Sequence, residues 1–120
     1  MKPAYSDKYL LQETLSLSKK FNSNIFVETG THIGDNILIL KDYFNSLYTI
    51  EISEKYFNIA KEKISKFNNI KLYLGDSSEI LTQILNEINS NPVIFLDAHW
   101  NEINPILNEL DIIKNSKLKP

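Results

Sequence analysis

The sequence predicts an α/β protein: a parallel sheet with helices on both faces. Three observations predict it. Four short apolar runs alternate with segments of helical periodicity, and their centres near Val27, Ile50, Leu72 and Ile94 lie 23, 22 and 22 residues apart. The runs are apolar at nearly every position, as strands covered on both faces are. All three glycines, Gly30, Gly34 and Gly75, follow the first or third run, at the edge where parallel sheets bind ligands.

Each element carries its own signal. A leading helix is expected over roughly Ser6 to Asn22, with a weak stripe through Leu10, Leu17 and Phe21. The first strand runs from Ile25 to Glu28. A helix follows on the stripe Ile33, Ile37, Leu40 and Phe44. The second strand, Leu47 to Ile52, leads to Ser53-Glu54, a helix start, and then to the stripe Phe57, Ala60, Ile64 and Phe67. The third strand is Ile70 to Leu74. Asp76, with Glu79 three positions later, marks the next helix start, ahead of Leu81, Ile84, Leu85 and Ile88. The fourth strand is Val93 to Leu96. Asn104-Pro105 reads as an N-cap with proline at the first helical position. Short connections between strand and helix imply βαβ crossovers.

Composition narrows the function classes. The chain has 120 residues, room for one compact domain, and a net charge of −2 with no basic block. Nucleic-acid binding is not favoured on electrostatic grounds. Every basic side chain is lysine, so an anion site must use lysine or backbone N–H groups instead of the bidentate arginine fork. Absence of cysteine excludes disulfides and thiolate metal sites. No apolar run approaches the roughly 20 residues of a membrane span. Met1 to Asp7 lacks the apolar core of a signal peptide, so a cytoplasmic location is the default expectation.

The most informative stretch is Glu28-Thr29-Gly30-Thr31-His32-Ile33-Gly34. A strand ends in an acid, two glycines follow four positions apart, and a helix begins. That order suits a nucleotide-like ligand, and the acid suggests a ligand with a positive group. The stretch resembles the first motif of class I S-adenosylmethionine-dependent methyltransferases, acid-x-Gly-x-Gly-x-Gly, with His32 in place of the middle glycine. Tyr48 to Ser53, with Glu51 at the strand end, resembles the second motif. Leu74-Gly75-Asp76-Ser77 resembles the third, and Phe95-Leu96-Asp97-Ala98-His99-Trp100 the fourth. The resemblance runs in order from about Ile25 to about Leu110.

The resemblance implies a Rossmann-like three-layer domain with strand order 3-2-1-4, and S-adenosylmethionine as cofactor. It implies that Glu28 attracts the methionine ammonium and that Gly30 and Gly34 admit the backbone close to the ligand. The N–H groups of Thr31 to Gly34 would meet the carboxylate. Glu51 would take the ribose hydroxyls, with Ile52 beside it, and Asp76 the adenine amino group, with Ser77 beside it. Asp97 would lie near the transferred methyl group, with His99 as a candidate base for a hydroxyl acceptor and Trp100 walling the acceptor pocket. No metal is implied, because the acid or amide pair that metal-dependent relatives carry after the next strand is missing.

A structural reading stands beside each role. Glu28 caps a turn; Glu51 is helix-start acidity; Asp76 caps a helix, which is compatible with binding. Asp97 caps a turn, His99 lies on the surface, and Trp100 packs on the last helix. His32 reads as a loop residue near solvent.

The expected activity is methyl transfer to a small-molecule or sugar-type acceptor. Two alternatives remain: a non-catalytic binding or association module, and a nicotinamide-dinucleotide binder. The latter fits less well, because the pattern is Gly-x-x-x-Gly and not Gly-x-Gly-x-x-Gly. The resemblance also implies further strands after Leu118-Lys119-Pro120. The expectation is one domain over 1–120, continued in a longer chain or completed by a homo-oligomer contact or partner segment covering the fourth strand's apolar edge.

Overall fold

A computed structural model describes residues 4–96. A 3-10 turn, Ala4–Ser6, precedes helix α1, Lys8–Lys20. Strand β1 is Ile25–Thr29, helix α2 Asp35–Leu40, strand β2 Ser46–Glu51 and helix α3 Glu54–Ile64. Strand β3 is Ile70–Leu74, helix α4 Ser77–Glu87 and strand β4 Val93–Leu96. The four strands are parallel and ordered β3-β2-β1-β4.

That order is the expected one, and it creates a switch point. From β1 the chain steps outward through β2 to β3, then returns to the other side of β1 as β4. The register aligns the strand ends: Thr29 pairs with Ile50 and with Leu96, and Glu51 pairs with Leu74. Loops leaving β1, β2 and β3 therefore collect along one edge, where open parallel sheets hold ligands.

Alternation along β1 divides the core in two. Phe26 faces the layer of α1, α2 and α3, where Tyr5, Ile37, Leu40, Phe44, Leu47 and Ile64 are buried. Val27 faces α4, with Ile50, Leu81, Ile84, Leu85 and Ile88. Helices thus cover both faces. An aromatic cluster anchors the first layer. Tyr5 meets Phe26 edge-on at 5.8 Å and Phe95 at 5.2 Å, and Phe26 lies 5.3 Å from Phe44. Truncating a fully buried Phe such as Phe26 to alanine costs about 3–5 kcal/mol.

The helices are shorter than their stripes. Helix α2 keeps only Ile37 and Leu40 of the four stripe positions. Gly34 has φ +89°, outside the right-handed region, so the helix cannot begin at Ile33. At its other end Tyr43 N–H bonds back to Leu40 in a tighter turn. The Asn69 side-chain amide then donates to the carbonyls of Lys41 (2.9 Å) and Phe44 (3.3 Å), tying down that end. Phe44 remains buried although it lies beyond the helix. Helix α1 starts at Lys8, not Ser6, because Asp7 caps it by accepting from Tyr9 N–H at 2.8 Å.

Candidate cofactor site at the C-terminal edge of the sheet

The loop after β1 is tightly folded. Gly30, His32 and Gly34 all have left-handed backbone, with φ of +82°, +53° and +89°. Glycine adopts that region freely, whereas a histidine there is held by its surroundings. The restraint on His32 comes from β2: its N–H donates to Glu51 Oε1 at 2.6 Å.

Glu51 sits at the end of β2 with only 3% of its surface exposed. Its second oxygen accepts from Ser53 N–H at 2.9 Å. One carboxylate thus joins the loop after β1 to the start of α3. A carboxylate offers about four acceptor positions. Two backbone donors leave capacity for others, such as paired hydroxyls. The role is more specific than helix-start acidity, since the partners come from two loops.

Glu28, the other strand-end acid, is fully buried at 0% exposure. Thr49 Oγ1 donates to its Oε1 at 2.7 Å, and Thr49 lies 2.6 Å from the hydroxyl of Thr31. Thr49 has one hydroxyl proton and spends it on Glu28, so Thr31 is the donor in the second bond. The result is a directed chain from the glycine loop into the interior: Thr31, Thr49, Glu28. Glu28 lies beneath the loop and supports it from inside.

Three of the four N–H groups from Thr31 to Gly34 are used within the protein. Thr31 N–H donates to Ile50 O, His32 N–H to Glu51, and Gly34 N–H to Thr31 O. Ile33 keeps the one N–H of the four without a partner among the described residues. The loop is knitted to β2 and is not an open ring of donors.

Beyond β3, Gly75 N–H donates to Glu51 O, which brings the third loop to the second. Asp76 caps α4, its Oδ1 accepting from Ser78 N–H at 2.8 Å. Its other oxygen faces no donor among the described residues. Ser77 Oγ is buried and has no hydrogen-bond partner among them. Exposed apolar or aromatic side chains lie close to Glu51 in chain or register: Ile52, at 39% exposure, follows it, Leu74, at 44%, pairs with it across β2 and β3, and Tyr56, at 41%, sits in the first turn of α3.

The edge thus gathers Glu28, Gly30, Thr31, Gly34, Glu51, Ile52, Asp76 and Ser77. Asp97, His99, Trp100 and the Asn104-Pro105 helix start lie outside the described residues. Thr49 and Tyr56 were not singled out from sequence. The available signal was Thr49's place on the buried face of β2, between Leu47 and Glu51, where a hydroxyl needs a partner. A shallow concavity of about 230 Å³, lined by Asn45, Tyr48, Asn68 and Lys71 among others, lies at the opposite edge and shares none of these residues.

Comparison with known proteins places the fold. Solved methyltransferase structures superpose on most of this chain. The O-methyltransferase TomG from Streptomyces achromogenes, solved with S-adenosylmethionine, matches with a TM-score of 0.62 at 18% identity, over 84% of this chain and 49% of that one. An O-methyltransferase from Bacillus cereus, solved with S-adenosylhomocysteine, matches with a TM-score of 0.66 at 24% identity, over 93% and 53%. The S-adenosylhomocysteine-bound Podospora anserina methyltransferase PaMTH1 reaches 0.68 at 17% identity, over 87% and 45%.

The chain has a class I methyltransferase-like fold. Among curated proteins, ribosomal RNA small subunit methyltransferase A of Borreliella burgdorferi is 31% identical over 112 residues, 88% of this chain. The chain spans 38% of that relative's length, and about half of each solved structure. No family model matches. The first three motifs quoted from the sequence fall at the C-terminal ends of β1, β2 and β3. Among the described residues, no helix is long and apolar enough to cross a membrane.

Proposed function

We propose that this chain binds S-adenosylmethionine at the C-terminal edge of its sheet, as the cofactor half of a methyltransferase. The observation that carries the reading is Glu51. Its buried carboxylate is fixed by two loop N–H groups and retains acceptor capacity, with the exposed apolar residues Ile52 next to it in the chain and Leu74 its register partner. That combination suits the vicinal hydroxyls of a ribose next to a flat base.

The other residues divide the ligand between them. Glu51 accepts from the ribose, Ile52 packs on the nucleoside, and Asp76 accepts from the exocyclic amine while capping α4. Ser77 lies beside it. Gly30 and Gly34 let the backbone approach, and Thr31 with Glu28 sets the loop. The buried position of Glu28 favours an electrostatic pull on the ammonium over direct contact. When bound, the cofactor supplies a methyl group already activated on a sulfonium. Transfer is an in-line displacement, for which positioning of the acceptor provides much of the rate. Asp97 and His99 are the candidates to hold that acceptor and take its proton.

A small-molecule acceptor is the leading reading, in keeping with the net charge of −2 and the absence of a basic block. An RNA acceptor is the second reading, favoured by the name of the curated relatives.

Calorimetry tests the reading. The chain is expected to bind S-adenosylmethionine and S-adenosylhomocysteine saturably and to ignore NAD. Binding of NAD alone, or of none of the three, overturns it.

A further inference from the structure

His32 occupies the position where the first methyltransferase motif has its middle glycine, so this chain carries an imidazole where the motif has no side chain. The ring is half-buried, not free in solvent. Its centroid lies 6.1 Å from that of Tyr56, at an interplanar angle of 51°, within the range of attractive ring pairs. Tyr56 comes from the first turn of α3, and its N–H donates to the Ser53 cap. The backbone of His32 is held by the same Glu51 carboxylate that accepts Ser53 N–H. The His32 loop and the start of the helix that carries Tyr56 are therefore joined at one carboxylate. Tyr56 is 41% exposed, so its ring remains accessible.

We propose that His32 and Tyr56 form a ring wall over the nucleoside end of the cofactor site. The proposal rests on the cofactor reading above and deepens it. The occupant is the adenosine half of the ligand. Glu51, which fixes the wall, is the group placed to hold a ribose. Ile52 follows Glu51 in the chain and Leu74 pairs with it across β2 and β3, both exposed and apolar, as a base needs. A ring on the loop, backed by a ring from α3, offers the sugar contact area that a glycine would lack. His32 and Tyr56 thus act as specificity-determining residues for the nucleoside. The amino-acid end of the ligand is left to the glycine loop.

Ligand fragments separate this from a structural role. The variants are His32→Gly, whose new residue tolerates φ +53°, His32→Phe, which restores a ring, and Tyr56→Ala. Binding of S-adenosylhomocysteine and of methylthioadenosine, which lacks the amino-acid end, is measured by calorimetry, with thermal melts reporting the fold. His32→Gly and Tyr56→Ala are expected to weaken both ligands by the same factor, about three- to tenfold, with His32→Phe near the parent. Unchanged affinities in a folded His32→Gly overturn the proposal. So does a loss confined to S-adenosylhomocysteine, which puts the rings at the amino-acid end. If the parent binds neither ligand, the cofactor reading fails and takes the wall with it. If the parent binds both and the variants match it, only the wall fails.

Discussion

The Glu51 carboxylate receives the His32 N–H at 2.6 Å, across 19 residues of sequence. The bond holds a non-glycine residue in left-handed backbone and joins the loop after β1 to the end of β2, at the candidate cofactor site. Since the same carboxylate also accepts Ser53 N–H, its loss frees both segments at once.

Glu51→Ala is therefore expected to destabilise the fold by about 1.5–3 kcal/mol, the range for hydrogen bonds to charged groups. Glu51→Gln keeps one acceptor and loses less. Urea denaturation measures both. A Glu51→Ala variant as stable as the parent would mean that water satisfies the freed donors. Cofactor affinity should fall with it, and an Ala variant binding as well as the parent would sink the ribose assignment.

Thr49→Val removes the hydroxyl that donates to buried Glu28 and accepts from Thr31, with little change of shape. Leaving buried polar groups short of a partner costs about 1–3 kcal/mol. Thr49→Ser keeps the hydroxyl and should recover most of that. Equal melting points for the Val and Ser variants would contradict the chain of donors.

Asp76 has two proposed tasks that substitution can part. Asp76→Ala loses the α4 cap and about 1 kcal/mol of stability, whereas Asp76→Asn retains a capping oxygen. If Asp76 also accepts from the base, Asp76→Asn weakens cofactor binding at unchanged stability. Parent-like binding in both variants would assign Asp76 to capping alone.

Gly34 has φ +89°, and a Cβ there would stand 3.4 Å from Ala60 Cβ, an ordinary contact distance. Gly34→Ala is thus tolerated by space and opposed by backbone, at about 1–2 kcal/mol. Denaturant titration should find that loss. A neutral outcome would mean that the loop relaxes into right-handed backbone.

Tyr5 makes stability depend on pH in the alkaline range. Burial raises its phenol above the ordinary value of 10.0; the Thr14 hydroxyl, donating at 3.0 Å, opposes this, and the nearby Glu28 charge adds to it. A raised folded-state value means that the native protein holds its proton longer than the unfolded chain. This stabilisation is whole below pH 10 and is lost as pH rises through the folded value. Tyr5→Phe should flatten that decline, although Tyr73, also raised by burial, retains a share. Denaturation curves at pH 8 to 11 for both proteins would test this, and identical slopes would count against it.

Much of the fold was legible because its signals are local. Apolar runs, helical stripes and the caps Ser53 and Asp76 act within a few residues, and all four strands lie within one residue of their expected bounds. Helix ends were harder to read. The termination of α2 depends on Asn69, which reaches its carbonyls from the start of β3. In the site, the residue types at each strand end were legible, and their bonds were not. Thr49 looked like one more strand residue until register placed it beside Glu28.

By itself the sequence determined the alternation of strands and helices, the glycine loop after β1 and the acids closing β1 and β2. Short-range sterics and burial periodicity suffice for these. Only the tertiary structure decided what each acid does. Glu28 and Glu51 end adjacent strands in similar local sequence, yet one is sealed beneath the loop and the other clasps it. Their partners lie 21 and 19 residues away, and parallel pairing of β1 with β2 is what brings them within hydrogen-bond reach.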